Sequence, residues 1–206
     1  KKIKVLTLSD HPLSPSGVGT QTKYVIEALL KTGKFQVLSL GGAIKHQDYT
    51  PKMIEPYGED WKIIPVDGYG TQDMIRSILR NERPDILWIM TDPRFYEWLW
   101  VIENEIRPLC PIVYYHVWDN FPAPKFNAKF YKSNDQIVTI SKLTHDIVKE
   151  VAPGVPCKYI PHAVREDVFR PNTKEGRKSL RENVLGPDKD KFIAFWNNRN
   201  ARRKQS

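Results

Sequence analysis

The chain has few cysteines, no long apolar run and no clustered metal ligands, and each absence excludes a class of protein. Its 206 residues include only Cys110 and Cys157, which form neither a Cys-x-x-Cys pair nor a disulfide framework. That usage favours a reducing, cytoplasmic setting. No apolar run approaches the ~20 residues that span a bilayer, so we expect neither a transmembrane segment nor a secretory signal. No His/Cys cluster has ligand spacing, so we expect no metal.

The chain also has only a moderate excess of positive charge. The hydrophobic and charged fractions, 40% and 27%, are ordinary for a soluble globular protein. Of the net charge of +8, the last ten residues, NNRNARRKQS, contribute +4, and the other 196 residues carry the remaining +4. No RNA- or DNA-binding signature accompanies this basic tail, so we expect a phosphate-bearing ligand rather than nucleic acid. The basic balance allows peripheral contact with an anionic membrane, but no basic amphipathic helix indicates it.

Strand-like and helix-like segments alternate along the chain. Apolar, β-rich segments predict strands at 3–9, 35–40, 61–66, 85–90, 111–117, 136–140 and 191–196. Helical periodicity and capping residues predict helices at 18–29, 71–80, 93–106, 141–151 and 173–184. The polar, Pro-punctuated segment 43–60 is predicted to be a loop. This alternation predicts an α/β fold with a Rossmann-like, doubly wound parallel sheet.

In such a sheet, ligands bind beyond the carboxyl ends of the strands. Polar or glycine residues stand at the carboxyl ends of five of the predicted strands, namely Asp10, Gly41 with Gly42, Thr91 with Asp92, His116 and Ser141. We therefore expect the functional site at this edge.

The glycines after the first strand, in SDHPLSPSGVGTQTKYVIEALLKTG (residues 9–33), are the first candidate site. No Gly-Lys-Ser/Thr follows, so the segment is not a Walker A motif, and Thr22 stands where a dinucleotide fingerprint has its third glycine. Gly17, Val18 and Gly19 allow close backbone approach, and the next helix points its N–H groups and positive dipole end at them. A phosphate-facing loop and a plain turn both fit this segment.

Four segments in order, SPSGVGTQTKYVIEALLKTG, VYYHVWD, VTISKLTHDIVKE and YIPHAVREDVFRP, resemble family 4 of the glycosyltransferases, the group that includes glycogen synthases and mannosyltransferases, of the GT-B fold. The resemblance spans essentially the whole chain. The last segment departs from the family pattern Pro-Asn-Gly-Val-Asp at His162, Ala163 and Arg165. The resemblance implies a retaining, metal-independent hexosyltransferase without a cofactor, which moves a sugar from a UDP- or GDP-linked donor to a hydroxyl of a glycan, lipid or protein.

The final segment FIAFWNNRNARRKQ resembles the start of the family's second domain. There, an Arg and a Lys five positions later grip the donor diphosphate, a role that the resemblance gives to Arg199 and Lys204; a basic, frayed terminus is the alternative. We expect an acceptor-side domain at 1–172, a helix and linker at 173–190, and at 191–206 the first strand and phosphate loop of a donor domain that the chain lacks. The isolated chain is expected to be inactive.

The remaining candidates surround the predicted strand that ends at His116. By resemblance, His116 faces the donor sugar and is the catalytic candidate; a structural histidine is the alternative. Asp119 and Asn120 could bond acceptor hydroxyls and Trp118 or Phe121 could stack on a sugar face, or these residues could simply shape a loop.

Three other patterns are assigned to structure rather than to function. The Asp-Lys-Asp at 188–190 is predicted to be a solvated turn rather than a metal site. The aromatic residues Phe95 and Trp98 are predicted to pack in the core, and the two cysteines are predicted to have no nucleophilic role. A stand-alone Rossmann-like binding module without catalysis is the alternative to the transferase.

Overall fold

The computed structural model describes residues 1–118 and 120–197. These residues fall into two compact units, Lys1–Ala163 and Val164–Ser206. The first unit contains the sheet and both hydrophobic clusters, whereas the described part of the second contains one helix and one 3-10 turn.

The first unit alternates strands and helices as predicted. Its strands are β1 Ile3–Asp10, β2 Phe35–Gly42, β3 Lys52–Ile54, β4 Gly58–Pro65, β5 Ile86–Thr91, β6 Ile112–His116, β7 Gln136–Thr139 and β8 Cys157–Tyr159. Its α-helices are α1 Gly17–Lys31, α2 Gln72–Glu82, α3 Glu97–Trp100, α4 Glu103–Ile106, α5 Ala128–Lys132 and α6 Lys142–Val151. Short 3-10 helices occur at Pro93–Phe95 and Lys125–Asn127.

The eight strands form one sheet in the order β3-β4-β2-β1-β5-β6-β7-β8. All neighbouring pairs are parallel except β3 with β4. The chain winds outward from β1 through β2 and β4, and later resumes on the other side of β1 with β5. The order therefore reverses between β1 and β5, and such a switch point is where open α/β sheets bind ligands. The predicted α/β fold with a predominantly parallel, Rossmann-like sheet is confirmed.

Both faces of the sheet are buried, which explains why its strands are apolar almost throughout. On β1, Val5 contributes to one cluster and Leu6 and Leu8 to the other. Helix α1 covers the first face through Ile26 and Leu30. Helices α2 to α6 cover the opposite face.

Local capping chemistry sets the helix ends. The Thr71 hydroxyl accepts a hydrogen bond from Met74 N, and Ser141 caps α6 in the same way, which agrees with the helices predicted to begin at 71 and 141. Helix α1 ends before Gly33, whose φ of 70° is the left-handed conformation expected there.

The predicted loop at 43–60 is wrong in part, because it holds β3 and the start of β4, which pair antiparallel. Strand β3 is only three residues long and lies at the sheet edge with Lys52 and Met53 exposed. Such a strand lacks the buried alternation by which a sequence pattern reveals one.

The single helix predicted at 93–106 is also wrong. The segment is broken into a 3-10 turn and the one-turn helices α3 and α4. Tyr96 and Ile102 are both buried, yet on an ideal helix they would lie roughly 120° apart around the axis. The break lets both side chains point into the same core.

In the second unit, the helix predicted at 173–184 is present as α7 Lys174–Leu185, with Thr173 as its N-cap, and a 3-10 turn follows at Gly186–Asp188. The strand predicted at 191–196 is not present, since the described residues 191–197 are irregular. The described part of this unit offers no strand for pairing, and Phe192 and Phe195 are 96% and 83% exposed. The predicted domain boundaries stay predictions.

Candidate ligand-binding site

The carboxyl ends of β1 and β5 flank the switch point, and each leads directly into a candidate residue. Strand β1 ends at Asp10, followed by the segment that starts α1, and β5 ends at Thr91, followed by the 3-10 helix. Adjacent β6 ends at His116. Three of the strand ends selected from the sequence are therefore neighbours on one edge of the sheet.

Gly17, Val18 and Gly19 form the first turn of α1 rather than a loop before it. Ser16 is the N-cap, and its Oγ accepts a hydrogen bond from Gly19 N at 2.9 Å. The first bond of the helical ladder runs from Thr20 N to Ser16 O. The N–H groups of Gly17 and Val18 precede that ladder and point outward from the positive end of the helix dipole.

The two glycines differ in the space around them. A Cβ at Gly17 would meet nothing within 4 Å, whereas one at Gly19 would lie 2.5 Å from Ser14 Oγ and 2.6 Å from His11 O. Gly19 is thus needed for the turn to close. Gly17 has room beside it, and this room is where a ligand could approach the helix terminus.

The Asp10 carboxylate stabilises the first turn of α1. One carboxylate oxygen accepts a hydrogen bond from Ser16 Oγ at 2.6 Å, and the other accepts one from the Tyr69 hydroxyl at 2.7 Å. The Tyr69 ring lies 4.6 Å from the ring of Phe95, which follows β5. Burial and the Asp10 carboxylate both raise the pKa of Tyr69, so its hydroxyl stays a donor. Tyr69 therefore links the two sides of the switch point.

His11 is a candidate that the sequence interpretation missed. Its ring lies so close to Gly41 that a Cβ there would be 2.4 Å from His11 Cδ2. The ring of His46 is 5.7 Å away, and its Nε2 donates to Gly41 O at 2.8 Å. Burial and then the charge of His46 lower the pKa of His11, which therefore favours its neutral form. Its position directly after β1 was the available signal.

Thr91 has an unusual backbone at the end of β5. Its φ of 146° lies in the region that favours glycine, which is strained for a β-branched residue. The Tyr114 hydroxyl donates to Thr91 O at 2.7 Å, and the Tyr96 hydroxyl is 2.8 Å from Met90 O. Two buried tyrosines thus hold the strained strand end in place.

His116 is fully buried beneath this edge. Its Nδ1 lies 2.9 Å from the Tyr114 hydroxyl and its Nε2 2.7 Å from the Tyr131 hydroxyl. Because the Tyr114 proton is given to Thr91 O, Nδ1–H must donate to Tyr114, and Nε2 must accept from Tyr131. Burial lowers the pKa of His116 from 6.5 to about 3. In this structure the neutral His116 ring is hydrogen bonded through both nitrogens to buried tyrosines. Its contact with a sugar stays a prediction.

A cavity of about 290 Å³ opens above this network, after β5 and β6. Trp118 and Asn120, both selected from the sequence, line it. The other lining residues, which sequence reasoning did not select, are Asp92, Pro93, Arg94, Glu97, Val117, Phe126, Asn127 and Phe130. Asn127 is buried, and its amide nitrogen has no hydrogen-bond partner within the described part of the chain.

The structure brings only some of the predicted site residues together. Asp119, Arg199 and Lys204 lie outside the described residues, so their predicted roles stay predictions. His116, Trp118 and Asn120 gather at the end of β6, and Gly17 to Gly19 lie at the start of α1.

The other titratable groups are placed in structural surroundings. Burial raises the pKa of the Cys110 thiol to about 12 and also raises that of Cys157, which disfavours the reactive thiolate form of both. Asp188 pairs with Lys191 at 2.6 Å. Within residues 1–118 and 120–197, no three His, Cys, Asp or Glu side chains are grouped to hold a metal ion. Nor does any helix of this described part have the length and apolarity needed to cross a membrane.

Comparisons with protein-family models and with curated proteins give no relative from which a role could be transferred. No protein-family model matches the chain, and no curated protein matches it. The functional interpretation therefore depends on the geometry of the sheet edge and on the resemblance in the sequence.

Proposed function

We propose that the chain is the acceptor-side domain of a retaining glycosyltransferase of the GT-B fold, which moves a sugar from a nucleotide-sugar donor to an acceptor hydroxyl. The observation that carries the proposal is the pairing of two unlike sites at one switch point. An accessible helix terminus follows β1, and a ring-sized cavity follows β5 and β6. Transfer from a nucleotide sugar needs both a phosphate contact and a place for an alcohol.

The helix terminus suits the departing nucleoside diphosphate. Negative charge develops on that group as the glycosidic bond breaks, and fixed N–H donors with a helix dipole stabilise it. The N–H groups of Gly17 and Val18 have this position, and the space beside Gly17 admits a phosphate. Arg199 and Lys204 are proposed to bind the same diphosphate from a donor domain.

The cavity suits the acceptor. Trp118 offers an aromatic face, and Asn120 offers both a donor and an acceptor to a hydroxyl-bearing group, with Asp119 proposed beside them. Closure of a second domain over this edge would exclude water that could otherwise hydrolyse the donor. The proposed partners are thus a nucleotide sugar, a hydroxyl acceptor and that second domain, with no cofactor or nucleic acid.

The test is donor turnover by the product of the full gene. UDP-, GDP- and ADP-sugars are supplied with a mixture of acceptors, and mass spectrometry follows both donor breakdown and sugar transfer. We expect one donor to be turned over, with a loss of at least tenfold in Gly17→Ala and in Arg199→Ala. Gly17→Ala is informative because the added methyl occupies space that is otherwise free.

The alternative, a binding module without catalysis, is favoured by the enclosure of His116, whose two nitrogens are both bonded to tyrosines. It predicts that a nucleotide or sugar binds while no donor is consumed. Binding without turnover in the full gene product would therefore overturn the transferase proposal in favour of the module.

A further inference from the structure

The cavity beside Trp118 has a size and a set of lining groups that select among possible acceptors. Its volume of about 290 Å³ is at the lower end of the roughly 300–1,000 Å³ typical of small-molecule sites. That space holds one ring-sized group, and it is too small for a dinucleotide or a folded peptide segment. The ligand therefore presents a single ring or a group of similar size.

One part of the cavity is aromatic. The rings of Trp118 and Phe126 meet edge to face with centroids 6.0 Å apart. Phe130 stacks on buried Trp100 at 5.0 Å, which fixes its orientation. Phe126 is 74% exposed, so its ring is accessible to a ligand. These rings favour a ligand with a flat C–H surface.

The rest of the lining is polar and carries net negative charge. Asp92 and Glu97 are carboxylates, Arg94 is the one cation among the described lining residues, and the formal sum is −1. Carboxylates accept hydrogen bonds from hydroxyl groups but repel phosphate and carboxylate ligands. Asn120 and Asn127 carry amides that can both donate and accept. The matching ligand has several hydroxyls and no negative charge.

The cavity wall is also held rigidly. Asp92 follows Thr91, whose strained backbone is fixed by the buried Tyr114 hydroxyl. Its own side chain accepts a hydrogen bond from Arg94 N at 3.1 Å, which orients the start of the 3-10 helix. Backbone strain of this kind is maintained at ligand-binding sites, where it prearranges the groups that make contact.

We propose that the cavity binds one neutral pyranose ring, with a C–H face on Trp118 and Phe126 and hydroxyls on the carboxylates and amides. In the transfer reaction proposed above, on which this assignment of role rests, that ring is the acceptor. The acceptor is then a carbohydrate rather than a lipid alcohol or a protein side chain, and Phe126 and Asn127 are specificity residues.

The experiment uses the 206-residue chain without any donor. Saturation-transfer NMR is recorded with methyl glycosides of glucose, mannose, galactose and N-acetylglucosamine, and affinities are obtained by titration. Glucose 6-phosphate, inorganic phosphate and octanol serve as competing chemistries. We expect at least one glycoside to bind and the phosphorylated sugar to bind at least tenfold more weakly than its neutral counterpart.

Two exposed phenylalanines of the segment between β6 and α5 provide a matched pair. Phe126 lines the cavity and Phe121 does not, yet they are 74% and 72% exposed, so neither replacement by Ala should disturb the core. Glycoside affinity should fall severalfold in Phe126→Ala, at least tenfold in Trp118→Ala, and remain unchanged in Phe121→Ala. Circular dichroism verifies that each variant is folded.

Three outcomes would overturn the assignment: no glycoside binds, phosphate or octanol displaces a bound glycoside, or Phe126→Ala and Phe121→Ala behave alike. The glycoside-binding experiment and the turnover assay can fail independently of each other. Turnover with a non-sugar acceptor would preserve the transferase and remove the pyranose. Glycoside binding that depends on Phe126, without any donor turnover, would support the pyranose site and remove the transferase.

Discussion

On the β1 side of the switch point the site is made of backbone, whereas on the β5–β6 side it is made of buried side chains. The first side presents N–H groups of α1 and depends on how closely the chain can approach itself at Gly19. The second depends on hydroxyl and imidazole groups that fix the strained end of β5 at Thr91. The β1 side should therefore respond to side-chain size, and the β5–β6 side to protonation and to single hydroxyl groups.

The largest expected effect is acid destabilisation through His116. In the unfolded chain, His116 binds a proton as the pH falls below about 6.5. In the folded protein its pKa is about 3, so it stays neutral over this range. Lowering the pH through this window therefore stabilises the unfolded state, and the free energy of unfolding should fall by roughly 3 kcal/mol by about pH 4.5. Urea unfolding across this pH range measures the change.

Because the partly buried His11 and His162 also have lowered pKa values, a control must isolate His116. His116→Gln cannot ionise and should lose this part of the acid dependence. NMR provides a second measurement that needs no variant. A His116 ring proton that titrates near pH 6.5 would contradict the enclosed geometry.

The next effect is the loss of one hydroxyl. Tyr114→Phe removes the donor to Thr91 O and the acceptor of His116 Nδ1–H, and it leaves both groups buried without that partner. We expect a loss of about 2–3 kcal/mol in the free energy of unfolding. Tyr159→Phe, at a residue that is 40% exposed, serves as the control and should change it by less than about 0.5 kcal/mol. Equal effects of the two substitutions would show that the network does not support the strand end.

On the β1 side, a methyl group should have opposite consequences at two neighbouring positions. Gly19→Ala places a Cβ against Ser14 Oγ and His11 O, so we expect a loss of about 1–3 kcal/mol from steric crowding. Gly17→Ala meets open space and should leave stability unchanged or slightly improved. Thermal unfolding of the two variants decides the point, and a destabilised Gly17→Ala would mean that the space is not free.

The smallest effect expected is that of the helix cap. Ser16→Ala removes the bond to Gly19 N and the bond to Asp10, and should cost about 1 kcal/mol. Ser141→Ala on α6 is the matched cap, since it bonds Thr144 N in the same way. The same denaturant series compares the two. A much larger loss at Ser16 than at Ser141 would show that the bond to Asp10 is an essential part of the first turn.

The sequence predicts an element well when the interactions that stabilise it lie within the element itself. Helix α7 was predictable because its hydrogen bonds and its Thr173 cap lie within the segment itself. A strand at 191–196 requires a partner elsewhere in the chain, which the apolar pattern cannot supply. Strand β3 gave no signal for a different reason, since its partner β4 is close by in the chain but Lys52 and Met53 are exposed.

The candidate site was predictable in location but not in construction. Strand order places His116 and Trp118 at the ligand edge, and the alternation of strands and helices was sufficient to infer that edge. Whether His116 faces a ligand or the core depends on Tyr114 and Tyr131, and such distant packing leaves no periodic trace in the sequence. The cavity was missed for the same reason, since its walls come from two separate segments after β5 and β6.

The two edges of the sheet determine how the protein behaves when it is concentrated. Both outermost strands, β3 and β8, are only three residues long, and each carries an exposed lysine, Lys52 and Lys158. Short, charged edges are poor templates for the backbone of a second molecule, because pairing would bring like charges together for only a few hydrogen bonds. These short, charged edge strands thus disfavour edge-to-edge aggregation at both sides of the eight-stranded sheet.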